Sequence, residues 1–341
     1  MKRAGMAELA KEAKVSVATI DRALNGRESV RQDTRDLILA AALRIGHPAA
    51  ARLAKRPVGL RDVRFGVVLH KQGQDFYKAF AEELHRAVAA ASDVRGRLIL
   101  EFSTSQAPGE MAGHLRAMAG RCDVLAATAV NHPEVTAAVE DLATQGLSVF
   151  SLLSDFAQGA RAGYLGLNNL KVGRTAGWAM AMAAKAPGVT AIFVGGHRWH
   201  GHELRETGYR AYLRECAPHL TVLDPLVNLE TRQLTYETTL NLLARQPTLR
   251  GIYVAGGGME GAIAALREAR LSGNLAMVVS ALTGDSRAGL AEGLVTMVTD
   301  TPLEKLCRDL VGVMTKAVTD GLPHGGIQHF LPPDIHIAES I

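Results

Sequence analysis

The first sixty residues and the rest of the chain follow different hydrophobic rhythms. Early apolar positions recur at three- and four-residue spacing. Met6, Leu9, Ala10 and Ala13 form one set, Val17, Ile20, Ala23 and Leu24 a second, and Leu37, Ile38, Ala41, Ala42 and Ile45 a third. That spacing predicts three short helices, each with one buried face. Ser16 is placed to cap the second helix, and Asn25-Gly26 to end it. Gly46 stops the third, and Pro48 opens a fourth short helix running to about Lys55. From Val63 the pattern becomes unbroken apolar runs with helical stretches between them. Residues 63–69, 97–102, 123–128 and 148–153 read as buried strands, with a helix over 76–92. The pattern restarts at 191–195 and continues at 251–255 and 276–280. Such alternation predicts parallel sheets with right-handed crossovers.

The expected architecture is an all-α helix-turn-helix head, joined by a hinge helix to an α/β body of two doubly wound parallel-sheet subdomains. The boundaries read as 1–47 for the head, 48–62 for the hinge helix and linker, and 63–341 for the body. The chain should cross between the subdomains near 157–165, 287–300 and 325–332. Ligands in such sheets bind beyond the carboxyl ends of the strands, which makes the cleft between two lobes the natural site.

Charge divides the chain in the same place. Residues 1–64 hold 14 Lys/Arg and 7 Asp/Glu, a net of +7; the remaining 24 and 27 give −3, and the two sum to +4. A basic head on a mildly acidic body is the footprint of nucleic-acid contact at one end. Two helices a few residues apart, braced by a third, form the helix-turn-helix layout. On it, Val17, Ala18 and Thr19 would face base edges, while Ser16, Thr19, Arg22 and Asn25 would reach phosphates. Periodicity and charge alone fit a small helical bundle equally well.

The segment Val15-Ser-Val-Ala-Thr-Ile-Asp-Arg-Ala-Leu-Asn25, with Val30, Thr34-Arg35, Ala40-Ala41 and Gly46-His47-Pro48, resembles the DNA-binding domain of LacI/GalR transcriptional repressors over about residues 6–56. The resemblance implies that the helix after Pro48 is a hinge whose leucine, here Leu53, wedges into the minor groove. Three features depart from the family. Lys14 stands at the usual turn glycine, Asp21 replaces a serine, and the hinge lacks a Pro-Asn pair and shifts its leucine spacing.

Residues 63–337 resemble the family's effector domain, which is similar to periplasmic sugar-binding proteins. The landmarks are Phe65-Gly-Val-Val, Leu165-Gly-Leu-Asn-Asn169, Gly173, Arg205-Glu-Thr-Gly-Tyr209, Gly261-Ala-Ile-Ala-Ala-Leu266 and Val298-Thr-Asp-Thr-Pro302. The resemblance implies effector contacts from Gln74, Asp75, Phe76, Asn131, Asp155, Arg205 and Asp300, with Phe76 and Trp199 offering ring faces. The family's Asn-Asp after the 251–255 strand is replaced by Gly256-Gly257-Gly258, so the effector is not inherited.

The reading that follows is a homodimeric transcriptional regulator, most naturally a repressor. It would leave a pseudo-palindromic double-stranded operator when a sugar or polyol binds. No heptad tail follows the last body strand, which fits a dimer. No stretch reaches the ~18 apolar residues of a membrane span, and Met1-Lys-Arg-Ala-Gly lacks a secretory apolar region. Cys122, Cys216 and Cys307 suit a reducing compartment, so the expected location is cytoplasmic, with no membrane partner. No catalytic residue, metal site or cofactor is expected. His197, His200, His202 and Glu203 lack a fourth zinc ligand at a recognised spacing, and Gly256–Gly261 lacks a P-loop lysine. A solute-binding protein and a sugar-modifying enzyme are the rival readings for the same cleft.

Overall fold

The computed structural model describes residues 5–25, 30, 32–54, 60–271, 275–321 and 326–341. The chain divides into two compact units, Met1–Asp62 with Ser92–Arg95, and Val63–Ala91 with Gly96–Ile341.

The head has four helices, α1 (Met6–Glu12), α2 (Val17–Asn25), α3 (Gln32–Arg44) and α4 (Ala49–Ala54). Leu9, Ile20, Ile38, Ala41 and Ala42 form its core. Leu37, expected inside, is 57% exposed; it lies about 100° around α3 from Ile38, off the buried stripe. Val17 is likewise exposed rather than part of the stripe. Lys14 turns the chain between α1 and α2 at φ 54°, the left-handed conformation for which glycine is suited.

The body opens with β1 (Asp62–His70), α5 (Asp75–Ala90), β2 (Arg95–Ser103), α6 (Pro108–Ala117), β3 (Val124–Ala127), α7 (Pro133–Thr144), β4 (Val149–Leu152) and β5 (Gly163–Leu167). A second series follows: α8 (Asn169–Ala183), β6 (Gly188–Val194), α9 (His200–Cys216), β7 (Leu220–Val222), β8 (Leu226–Val227), α10 (Arg232–Arg245), β9 (Leu249–Val254), α11 (Met259–Glu268), β10 (Ala276–Val279), α12 (Gly284–Ala291) and β11 (Met297–Asp300). The chain closes with α13 (Leu303–Thr319), β12 (Ile327–Leu331) and β13 (Asp334–His336).

The strands form two sheets. One has the order β12-β5-β4-β3-β1-β2, the other β13-β11-β10-β9-β6-β7, with β8 also on β6. β1–β3, β3–β4, β4–β5, β5–β12, β6–β7, β6–β8, β6–β9, β9–β10 and β10–β11 pair in parallel, and β11–β13 pairs antiparallel. These are the two lobes. The crossings fall later than the apolar pattern suggests, at 168, 301–302 and 332–333. The Gly163-Tyr-Leu-Gly-Leu167 run is interrupted by glycines yet still adds β5 to the first sheet. α13 then packs on α5 in the first lobe, so the second crossing must follow β11.

Candidate functional site

Between the lobes lies a partly open cleft with about 100 Å³ of free space. The first lobe contributes Gln74, Phe76, Tyr77 and Thr128, together with His70 at the carboxyl end of β1. The second contributes Asn169, Trp199, His202, Arg205, Glu230 and Glu260. The location beyond the strand ends is the one that parallel α/β sheets favour.

Arg205 is buried on α9 and held on two sides. Its Nε donates to Asn169 Oδ1 at 2.7 Å, and its Nη1 donates to the Ala255 carbonyl at 2.7 Å. Two glycines set the helix that carries it. A Cβ on Gly173 of α8 would lie 2.0 Å from the Arg205 carbonyl oxygen, and one on Gly208 would lie 2.1 Å from that of Leu170. α8 and α9 therefore touch backbone to backbone, a distance only glycine permits.

Glu230 is the most heavily engaged acid in the cleft. Lys71 Nζ lies 3.0 Å from its Oε2, the Gly257 N–H donates to Oε1 at 3.2 Å, and His202 Nε2 is 3.6 Å from Oε1. Burial opposes its charge. His202, Lys71, His70 and the Gly257 N–H outweigh that and bring the pKa down to about 2. Burial lowers both His70 and His202 to about 4, so both imidazoles are neutral at pH 7. His202 Nδ1 accepts the Gly195 N–H at 3.1 Å, which leaves the ring proton on Nε2, facing Glu230. His70 bonds the Tyr77 hydroxyl through Nε2 and stacks on Trp199, with centroids 4.9 Å apart. His70 Nδ1 and Thr128 Oγ1 are buried without a hydrogen-bond partner. Burial also raises the pKa of the Glu260 carboxyl, in the first turn of α11.

Of the expected effector contacts, Gln74, Phe76, Trp199 and Arg205 line this cleft. Trp199 offers less ring face than expected. Its indole is buried against first-lobe residues such as Val130 and Phe156, stacks on His70, and donates to Gln106 Oε1 at 2.9 Å. Four expectations need correction. Asp75 begins α5 facing solvent and pairs with Lys78 at 2.9 Å; its neighbour Gln74 faces the cleft instead. Asn131 is exposed on a loop whose N–H donates to the Arg198 carbonyl. Asp155 is consumed by a buried pair with Arg161, with Nη2 to Oδ2 at 2.7 Å. Asp300 accepts the Thr301 N–H at 2.9 Å and lies 4.0 Å from His336, outside the lining.

Sequence reasoning missed Glu230, His70 and Glu260, and set His202 aside with the weak zinc pattern. His200 instead pairs with Glu203 at 3.5 Å, and among the described residues no three His, Cys, Asp or Glu converge as a metal site. The Gly256–Gly258 run makes room for protein atoms rather than for a phosphate. A Cβ at Gly256 would lie 2.5 Å from His202 Cε1 and 2.8 Å from Glu230 Oε1. A carboxylate already takes the N–H of Gly257.

In the head, Ser16 Oγ accepts the Thr19 N–H at 3.1 Å and shares a 2.8 Å hydrogen bond with the Thr19 hydroxyl, fixing the start of α2. Val17 and Ala18 are exposed there and Thr19 is half-buried. Arg22, one turn on, is exposed, with Nε donating to the Ala18 carbonyl at 3.2 Å. The Asn25 side chain lies outside the described residues. Leu53, expected as a groove wedge, is 6% exposed in the head core with Leu9, Ile20 and Ile38, because α4 folds back onto α2 and α3.

In one chain, a helix-turn-helix is followed by two α/β lobes with a cleft between them. The chain belongs to the periplasmic binding protein domain family, whose model matches residues 65–321, and residues 5–47 match the bacterial regulatory proteins of the lacI family. It is 37% identical over 84 residues to an uncharacterized HTH-type transcriptional regulator in the aml 5' region of Streptomyces limosus, and 35% identical over 83 residues to the HTH-type transcriptional regulator reg1 of Streptomyces lividans. These alignments cover 25% and 24% of this chain, and the chain spans about a quarter (23%) of the length of each relative. The body shares its fold with an ABC transporter solute-binding protein of Burkholderia graminis solved with D-arabinose. The TM-score is 0.75 at 16% identity, over 83% of this chain and 98% of that one.

Proposed function

We propose that the chain is a ligand-responsive transcriptional regulator, most simply a repressor of carbohydrate or polyol genes. It would act in the cytoplasm as a homodimer on a pseudo-palindromic operator. The observation that carries this reading is the joining, in one chain, of an exposed, capped α2 to a two-lobed cleft of polar, neutral-imidazole character. Val17 and Ala18 meet base edges in the major groove, where apolar side chains suit thymine methyls. Ser16, Thr19, Arg22 and Asn25 hold the phosphates.

In the cleft, Arg205 and Glu260 offer directional hydrogen bonds, with Phe76 as an apolar wall. This chemistry suits a single neutral polyhydroxyl ring. Likeness to a solute-binding protein that holds D-arabinose supports the same class. Effector binding changes the relation of the lobes and lowers operator affinity, a coupling between two sites in two states. The reading favours a regulator over an enzyme or a transporter component, because the basic helix-turn-helix has no use in either.

The test is Arg22→Ala in the full chain. Operator affinity falls for every sequence tested, and the slope of log affinity against log salt becomes shallower by about 0.9, the release of one counterion set. An unchanged slope removes Arg22 from the phosphate contacts and weakens the placement of α2 in the groove.

A further inference from the structure

One set of contacts between the two lobes falls on a single dipeptide, Leu229–Glu230, in the loop between β8 and α10. Lys71 Nζ donates to the Leu229 carbonyl at 2.7 Å and to Glu230 Oε2 at 3.0 Å. Gln74 Nε2 donates to the Glu230 carbonyl at 2.9 Å. Both donors belong to the first lobe and both acceptors to the second.

The arm is built at a cost. Lys71, Leu229 and Glu230 have φ of 53°, 50° and 54°, three of the seven non-glycine positive-φ residues among those described. Such conformations persist only where surrounding structure enforces them. Here Asn228 does so from full burial. Its Oδ1 accepts the Glu230 N–H at 2.8 Å, and its Nδ2 donates to Thr235 Oγ1 at 3.0 Å and to the Gly257 carbonyl at 2.9 Å. A glycine cradle receives the side chain. Added Cβ atoms at Gly195 and Gly256 would lie 2.5 Å from Glu230 Cγ and 2.8 Å from Glu230 Oε1. The missing side chains of the Gly256–Gly258 run therefore have a structural counterpart: the space is taken by an acid delivered from another loop.

We infer that the Leu229–Glu230 arm is a cross-cleft latch that joins the lobes before any ligand binds. This makes Glu230 and Lys71 positioning residues that pre-form the ligand site and keep Trp199 seated against the first lobe.

Trp199 reports the state of the latch. It is 4% exposed, stacked on His70 of the other lobe, and one of two tryptophans in the chain. In a Trp178→Phe background it is the sole tryptophan. Without effector or DNA, its emission should be blue-shifted and poorly quenched by acrylamide. Glu230→Gln keeps the side-chain shape in its cradle but removes the charge. That variant and Lys71→Ala should each shift the emission to the red and raise the quenching constant about two-fold or more, by moving the population toward separated lobes. The double variant should fall clearly short of the sum of the two single effects, because both variants break the shared Lys71–Glu230 contact.

The latch is overturned if Trp199 is already water-exposed in the Trp178→Phe protein, if either single variant leaves its emission and quenching unchanged, or if the two effects add. Should Glu230→Gln fail to fold, Lys71→Ala decides alone. No ligand enters this measurement, so its failure is separate from a failure of the sugar-effector reading.

Discussion

Arg205→Ala should abolish the effector response while leaving operator binding intact. The guanidinium is buried and committed on two sides, to Asn169 and to the Ala255 carbonyl, and it lines the cleft. Truncation removes a cleft-lining cation and strands two buried acceptors. Breaking a buried hydrogen-bonded charge costs about 2–5 kcal/mol, or roughly 30- to 5000-fold in Kd. The check is calorimetric titration of whichever sugar binds the wild-type chain, at a temperature where the variant is folded. Operator affinity should remain within about two-fold, since Arg205 bonds to Asn169 and the Ala255 carbonyl, both in the body. Undiminished ligand affinity would place the effector elsewhere.

Gly173→Ala should be among the most destabilising single-methyl additions in the body. The new Cβ would meet the oxygen, carbonyl carbon and Cα of Arg205 at 2.0, 2.7 and 2.8 Å. All three are backbone atoms, so no side chain can rotate away and α8 must move off α9. Overpacking typically costs about 1–3 kcal/mol, and a rigid obstacle puts this site at or above the upper end. Gly312, in the middle of α13, meets nothing within 4 Å, and Gly312→Ala should instead stabilise by roughly 0.5–1 kcal/mol. Denaturation midpoints of the two variants should move in opposite directions. Because Gly173 abuts Arg205, its variant should also weaken ligand binding; a midpoint within error of wild type would refute the close helix approach.

The alternation of apolar runs and helical stretches made both lobes legible, since each strand buried on both faces leaves a continuous run. The crossings were harder to read because β5 is interrupted by glycines and β11 is short. In the cleft, Arg205 was legible from its place in the Arg205-Glu-Thr-Gly-Tyr209 motif. The loop after β1 was legible at Gln74 and Phe76, which line the cleft, but not at Asp75, which opens α5 on the solvent side and pairs with Lys78. Glu230 had no local signal, since a left-handed pair of ordinary residues carries no sequence signature. The trace it left was indirect, in the glycines at 195 and 256–257 that make room for it. Leu53 shows the opposite case. A hydrophobic hinge residue fits either a groove or a core, and helical periodicity does not separate the two.

The account stands most directly on operator binding by the full chain. Fluorescence anisotropy with labelled DNA from upstream of its own coding region should show tight, salt-sensitive association that one neutral sugar or polyol reverses, while phosphorylated and acidic sugars do not. No DNA binding under any ligand condition, with the head folded, would contradict it and reopen the solute-binding and enzymatic readings of the cleft.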